Sequence, residues 1–411
     1  MNRREFCQKS STFLGTLPLG TSLLALASPA LADPAPATNA APANPQPAAT
    51  LSSSPPVLQN PSGDGSLTIV WGVSSVSTGW IEYGETEALG QTEYGDSEGL
   101  MAVSDKVLKI RLTNLKPGTK YFYRVVTASA QKLTRGVPMP GPVYQFKTLD
   151  AKATSTSFSL INDTHENKET LTRLVGMIQA QPTDSLIWDG DIFNWIGSEQ
   201  NIIDSVLNPA GLAYATNIPL VLVKGNHDVR GWKARLLDKY TDVPNGRWYY
   251  TFRQGPVAFV VLDTGEDKPD TSPNLGGLTY FERYRTVQQE WLRRAVQNPE
   301  FRDAPFRVAL LHIPIIWKNY AQRGWYCHDG KDKWHDVFVQ GKIDLVISGH
   351  THEHAWFPPG GEAPYAQLIG GGPSPKSATL IRGQADQDKL SFTMCDLNGK
   401  ELASHTFNRQ A

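Results

Sequence analysis

Five short polar blocks, each set directly after an apolar run, restrict this 411-residue chain more than any other feature. They are Asp163-Thr164-His165, Gly190-Asp191, Gly225-Asn226-His227-Asp228, His312 and Gly349-His350-Thr351-His352. The runs before them, at 158–161, 185–188, 219–223, 306–311 and 343–347, read as buried strands. Helical patterns lie between them at 169–180 and 281–296, and a hairpin pair at 249–252 and 257–262. Strands alternating with helices predict a layered α/β (α+β) domain over 154–411. In such folds the carboxyl ends of the strands share one rim where ligands bind, so the five blocks should converge there.

The blocks are rich in His, Asp and Asn, a donor set that suits Mn, Fe, Zn or Ni rather than calcium or soft metals. Alternate residues of an extended chain point to one side, which would bring Asp163 and His165 to the same ion. His350 and His352 have the same spacing and could serve one ion each. Glycines before Asp191, Asn226 and His350 permit sharp turns where backbone must pass close by.

In this order D-x-H, G-D-x-x-N, G-N-H-D, a lone His and G-H-x-H resemble the calcineurin-like metallophosphoesterases, over roughly 157–407. The resemblance implies a four-layer β-sandwich flanked by helices. It also implies two divalent or mixed-valence transition-metal ions, of Fe, Mn or Zn. It assigns Asp163, His165, Asp191 and His352 to the first ion. Asp191 would bridge, and Asn226, His312 and His350 would complete the second. The implied reaction is hydrolysis of phosphate mono- or diesters by a hydroxide held between the metals. His227, outside the ligand set, would stabilise the transition state or protonate the leaving oxygen. Asp228 would orient or charge His227. Arg230 and Asn167 follow ligand blocks and could meet phosphate or simply face solvent.

Residues 55–149 carry short β-prone runs punctuated by Gly, Pro, Asn and Ser, which predicts an all-β sandwich. Trp71, Tyr121 and Tyr123 are candidate core of that sandwich. The stretch 115–125 resembles a fibronectin type III turn and strand, and the small domain preceding the catalytic domain of purple acid phosphatases. Those phosphatases have Gly where His165 stands and a ligating Tyr where Asn194 stands. Loss of the tyrosinate implies a colourless or weakly coloured centre.

The first 32 residues read as a twin-arginine export signal: Asn2-Arg3-Arg4-Glu5-Phe6, an interrupted apolar run, then Ala30-Leu31-Ala32. A periplasmic or extracellular location is expected, with no integral membrane segment in the mature chain. Residues 33–54, rich in Pro, Ala and Asn, read as a flexible linker. A net charge of −1 shows no basic surplus, so a phosphate ester substrate is expected and a stable nucleic-acid complex is not. Three cysteines, Cys7, Cys327 and Cys395, are too few for a disulfide scaffold. The aromatic and basic segment 317–335 is either a specificity lid or a packed loop. The competing class is a non-catalytic surface-binding protein that uses the sandwich; the intact ligand set argues against it.

Overall fold

A computed structural model of the protein describes residues 50–131, 134–318 and 324–409. The export signal and most of the expected linker lie outside these residues.

Two sheets face each other across the main core. The first orders its strands Glu401–Asn408, Lys389–Asp396, Thr379–Asp386, Ser155–Ile161, Ser185–Asp189, Leu220–Val223, Val57–Ser62, Ser66–Gly72 and Val107–Leu112. The second runs Tyr250–Gln254, Val257–Leu262, Phe306–Leu311, Leu345–Ser348, Ala366–Ile369 and Ala355–Phe357. Side chains from the two inner faces interlock, with the Phe158 and Phe259 rings edge-on at 5.3 Å. Helix Lys168–Gln179 buries Leu171, Leu174, Val175 and Ile178, a 3.6-residue stripe, and belongs to the same core. Fully burying such a side chain contributes about 1.5–3 kcal/mol. Helices Phe281–Ala295 and Trp325–Gln340 cover the other face of the second sheet through Leu292, Trp334, Val337 and Phe338. The result is four layers, helices outside and two sheets inside.

In each sheet the central strands are parallel: Phe158 with Ser185 and Leu186 with Leu220 in one, Val257 with Phe306 and Val308 with Leu345 in the other. Their carboxyl ends therefore release the five polar blocks at one rim.

The amino-terminal strands form a second core around Trp71, Ile81, Tyr121, Tyr123 and Phe146, all buried. The Tyr121 hydroxyl accepts from the Lys116 backbone N–H at 3.0 Å and so ties the preceding turn. This layer shares a sheet with the rest of the chain. Val57–Ser62 pairs in parallel with Leu220–Val223, so one sheet runs through the expected boundary at 149–154. The Tyr123 hydroxyl donates to the Thr216 carbonyl at 2.7 Å, and Thr68 and Asn60 hold the Asp242 carboxylate. Residues 49–411 form one compact unit.

One expectation needs correction. The end of the predicted linker is built into the fold: Ser52 bridges to Val73, and the Ser54 hydroxyl accepts from the Gly72 N–H at 2.8 Å. A chain whose polar groups are paired this way is no longer a linker. Of the two readings of 317–335, the back half is packed: it is the helix Trp325–Gln340, whose Cys327 and Trp334 are fully buried. Cys327 and Cys395 are not joined to each other.

Candidate metal centre

Three of the five polar blocks leave their strands through left-handed turns. Asp163, His165, Asp191, His350 and His352 all have positive φ, from 43° to 72°. Non-glycine residues in the left-handed region cost about 1 kcal/mol or more each, and such strain collects at functional sites. Asp163 and His165 therefore meet through left-handed turns and not through strand alternation, which corrects the expected reason. Backbone bonds between the first two blocks hold the turns: Asp163 N–H to Gly190 O, and His165 N–H to Asp191 O. Glycine is required where they crowd. A Cβ on Gly349 would sit 2.2 Å from Asp163 Oδ2, and one on Gly190, itself at φ +74°, 2.5 Å from His312 Nδ1.

The turns bring donor atoms into two overlapping groups that could each hold a metal ion. One is Asp163, His165, Asp191 and His352; the other is Asp191, His312 and His350. Asp191 Oδ2 lies 3.4 Å from His165 Nε2 and 3.2 Å from His312 Nε2. His165 Nε2 and His352 Nε2 are 3.1 Å apart. Asn226 Oδ1 is 2.8 Å from His350 Nδ1, beside the second group.

The residues fit transition-metal ions. Asp163 Oδ1 and His312 Nε2 are buried and have no hydrogen-bond partner among the described residues. Orphaned buried polar atoms are costly unless something else satisfies them. Supporting bonds aim the remaining lone pairs inward. His312 Nδ1–H donates to the Asp189 carbonyl at 2.8 Å, which leaves Nε2 to face the cluster. Asp163 Oδ2 accepts from Asn162 Nδ2 at 2.6 Å and from the His350 N–H at 2.7 Å.

Two predicted catalytic residues part company here. His227 lies in neither group. Its Nδ1–H donates to the Asn194 carbonyl at 2.9 Å, and its ring sits edge-on to His165 with centroids 4.7 Å apart. Burial lowers its pKa. Asp228 does not hold His227. It is 2% exposed and accepts from the backbone N–H groups of Gly225 at 2.8 Å, Ile192 at 2.9 Å and Phe193 at 3.2 Å. A short 3₁₀ turn at His227–Val229 sends the carboxylate inward, so Asp228 pins the two ligand loops together.

Other residues support the centre from outside the ligand set. The Asn194 side chain donates to the His165 carbonyl at 2.9 Å and to Glu166. Asn162 orients Asp163, as above. Asn167 is the amino-terminal cap of helix Lys168–Gln179, its side chain accepting from the Thr170 N–H. Arg230 Nη1 lies 2.7 Å from His227 Nε2. Tyr326, at the start of its helix, meets the His350 ring at 4.6 Å.

Residues 156–354 match the family described as calcineurin-like phosphoesterase. The chain carries a calcineurin-like metallophosphoesterase domain. It is 22% identical over 271 residues to purple acid phosphatase 21 of Arabidopsis thaliana, covering 62% of this chain and 54% of that one. It is 28% identical over 144 residues to serine/threonine-protein phosphatase CPPED1 of Pongo abelii, covering 34% and 43%. The fold is similar to that of purple acid phosphatase PPD1 from yellow lupin (Lupinus luteus) seeds, with a TM-score of 0.67, 14% identity and coverage of 86% and 74%. The chain spans about half the length of the curated relatives it matches.

Electrostatics in the metallophosphoesterase domain show what an ion must displace. Burial opposes charge on His165, but hydrogen bonds from its ring to the Asp163 and Asp191 carboxylates outweigh it and carry the imidazole up to about 9. His312 is likewise raised, by Asp191 and Asp163 against burial. His350 is pushed down to about 4 by burial and then by the His312 charge. Protons on His165 and His312 thus stand in for cations between the carboxylates. An unfolded His165 titrates near 6.5, so its contribution to stability is complete below that pH and is lost as pH rises through about 9. Chelator-stripped protein should therefore melt at progressively lower temperature from pH 6.5 to about 9. Metal-loaded protein, in which a liganding His165 would carry no proton, should show a flatter profile. Thermal melts of both forms across that range check this.

Proposed function

We propose that this chain is an exported phosphoesterase with a dinuclear metal centre, acting on phosphate mono- or diesters. The observation that carries the reading is the pair of overlapping ligand groups sharing Asp191, with buried lone pairs facing a common centre. Asp163, His165, Asp191 and His352 would hold one ion; Asp191, Asn226, His312 and His350 would hold the other. Bound ions of this kind supply Lewis acidity and lower the pKa of a coordinated water toward neutrality. The chain itself does the rest. Asp191 joins the two halves of the site, and the Asn194 carbonyl fixes the tautomer of His227 so that Nε2 is the atom left to exchange a proton. His352, its side chain 46% exposed, marks the open side by which an ester enters.

The amino-terminal pattern Asn2-Arg3-Arg4 supports export. Among the described residues no helix is long and apolar enough to cross a membrane. The layer at 55–149 is read as fibronectin type III-like, and its shared sheet makes it a brace for the catalytic layers.

The test is metal analysis of the protein together with hydrolysis of p-nitrophenyl phosphate and bis-p-nitrophenyl phosphate. Stripped protein should be inactive, and Mn, Zn or Fe should restore turnover. With iron, the absorption band of a tyrosinate ligand should be missing, because Asn194 bonds to backbone and Glu166 instead. Two tightly bound ions without turnover of either ester would overturn the reading.

A further inference from the structure

Arg230 stands at the edge of the centre, and the chemistry above leaves it unused. Its guanidinium is held from behind by Glu266, a carboxylate only 1% exposed. Nε donates to Glu266 Oε2 at 2.8 Å, and Nη2 to Glu266 Oε1 at 2.5 Å and to Asp267 Oδ1 at 3.1 Å. A buried carboxylate is tolerated only when it is paired this well. The loop bearing Glu266 is itself fixed, because Arg285, 3% exposed, donates from Nη1 to the carbonyls of Thr264 at 2.7 Å and Glu266 at 3.3 Å. Lys268 balances Asp267 at 2.5 Å.

A guanidinium has five N–H donors in a rigid fork. Three are spent on the acidic pair. Nη1 points the other way, 2.7 Å from His227 Nε2, the nitrogen that faces the reaction. The Arg230 side chain is 21% exposed, so solvent and solutes reach it. A fork clamped at one end and turning its remaining N–H and its charge to a site for phosphoryl groups is built to bind an anionic oxygen.

We propose that Arg230 is a substrate-binding residue that grips a phosphoryl oxygen and biases the site toward phosphomonoesters. A monoester dianion carries one more anionic oxygen than a diester, and a fixed cation rewards that difference. The proposal rests on the phosphoesterase reading. Glu266 is the positioning residue that holds the fork.

The experiment uses the metal-reconstituted full chain, as wild type, Arg230→Gln, Arg230→Lys and Glu266→Gln, each checked by thermal melt. Affinity for inorganic phosphate is measured by calorimetry, and kcat and KM with p-nitrophenyl phosphate and bis-p-nitrophenyl phosphate. Arg230→Gln should weaken phosphate binding and lower monoester kcat/KM by about 10–100-fold, with a clearly smaller loss for the diester. Arg230→Lys should recover only part, because a point charge cannot keep both bonds to Glu266. If the Gln variant does not fold, the Lys variant carries the comparison. Equal losses on both esters, or unchanged phosphate affinity, would overturn the proposal. A wild type that binds phosphate through Arg230 but turns over neither ester would overturn the phosphoesterase reading and leave the anion site standing.

Discussion

Asp191→Asn should empty both halves of the metal centre at once, and kcat/KM for any phosphate ester should fall at least about 10³-fold, since metal ions supply several kcal/mol of transition-state stabilisation. The geometry leaves an amide no good orientation. Asp191 Oδ1 accepts from the His227 N–H at 2.8 Å, and Oδ2 faces His165 and His312 at 3.4 and 3.2 Å. If the amide oxygen keeps the bond to His227, the NH2 group points a donor into the centre, where lone pairs must converge. If the amide flips, two donors meet at His227. The backbone should survive, because Asn tolerates φ near +48° as well as Asp does. Asp163→Asn is the informative comparison. Asp163 belongs to one group only, so that variant should lose one ion preferentially. Metal content by mass spectrometry, read beside turnover, separates the two. An Asp191→Asn protein that keeps two ions and wild-type turnover would remove Asp191 from the bridging position.

The chain shows clearly in its sequence what depends on local pattern. Strand 306–311 falls where an apolar run ends in a polar block, and the structure gives Phe306–Leu311. The hairpin at 250–262 follows from two β-prone runs around Gly255. The polar blocks are visible because each ends a buried strand, and sheet geometry then gathers them without further information. What stays hidden depends on turn conformation and distant partners. Nothing in D-x-H announces a left-handed φ at both ends, so strand alternation supplied the wrong reason for a correct meeting. Asp228 follows His227 in the chain, but a 3₁₀ turn decides where its side chain goes, and backbone N–H groups capture it. Glu266 lies 36 positions from Arg230, and its ordinary sequence surroundings carry no sign of the pairing. The helix Trp325–Gln340 escaped because charges and aromatics mask its period. Its buried stripe runs through Cys327, Gly330, Trp334, Val337 and Phe338, and includes a glycine. Strand Val57–Ser62 bridges two layers that differ in composition, so no pattern on either side of 150 foretells a shared sheet.

His227→Ala should separate proton transfer from metal binding. Metal content should stay at the wild-type level for two reasons. The imidazole belongs to neither ligand group, and alanine keeps the backbone N–H that holds Asp191 Oδ1. A positioned acid–base group contributes about 10²–10⁴-fold to rate, so kcat should fall by that order with little change in bound metal. The leaving group then reports the role. His227 Nδ1 is committed to the Asn194 carbonyl, and Nε2 accepts from Arg230, so the ring is neutral at rest and only Nε2 can gain and deliver a proton. Burial holds its pKa below the usual imidazole value, which makes the protonated ring a strong acid once an anionic ester has charged it. A p-nitrophenolate leaves without help, whereas an alkoxide must be protonated as it departs. The His227→Ala loss should therefore be larger for an alkyl phosphate than for p-nitrophenyl phosphate by about tenfold or more. A loss of equal size on both would sink the acid role and leave His227 as a dipole acting on the phosphoryl oxygens. A simultaneous loss of metal would mean that its edge-on contact with His165, at 4.7 Å between ring centres, is needed to hold that ligand in place.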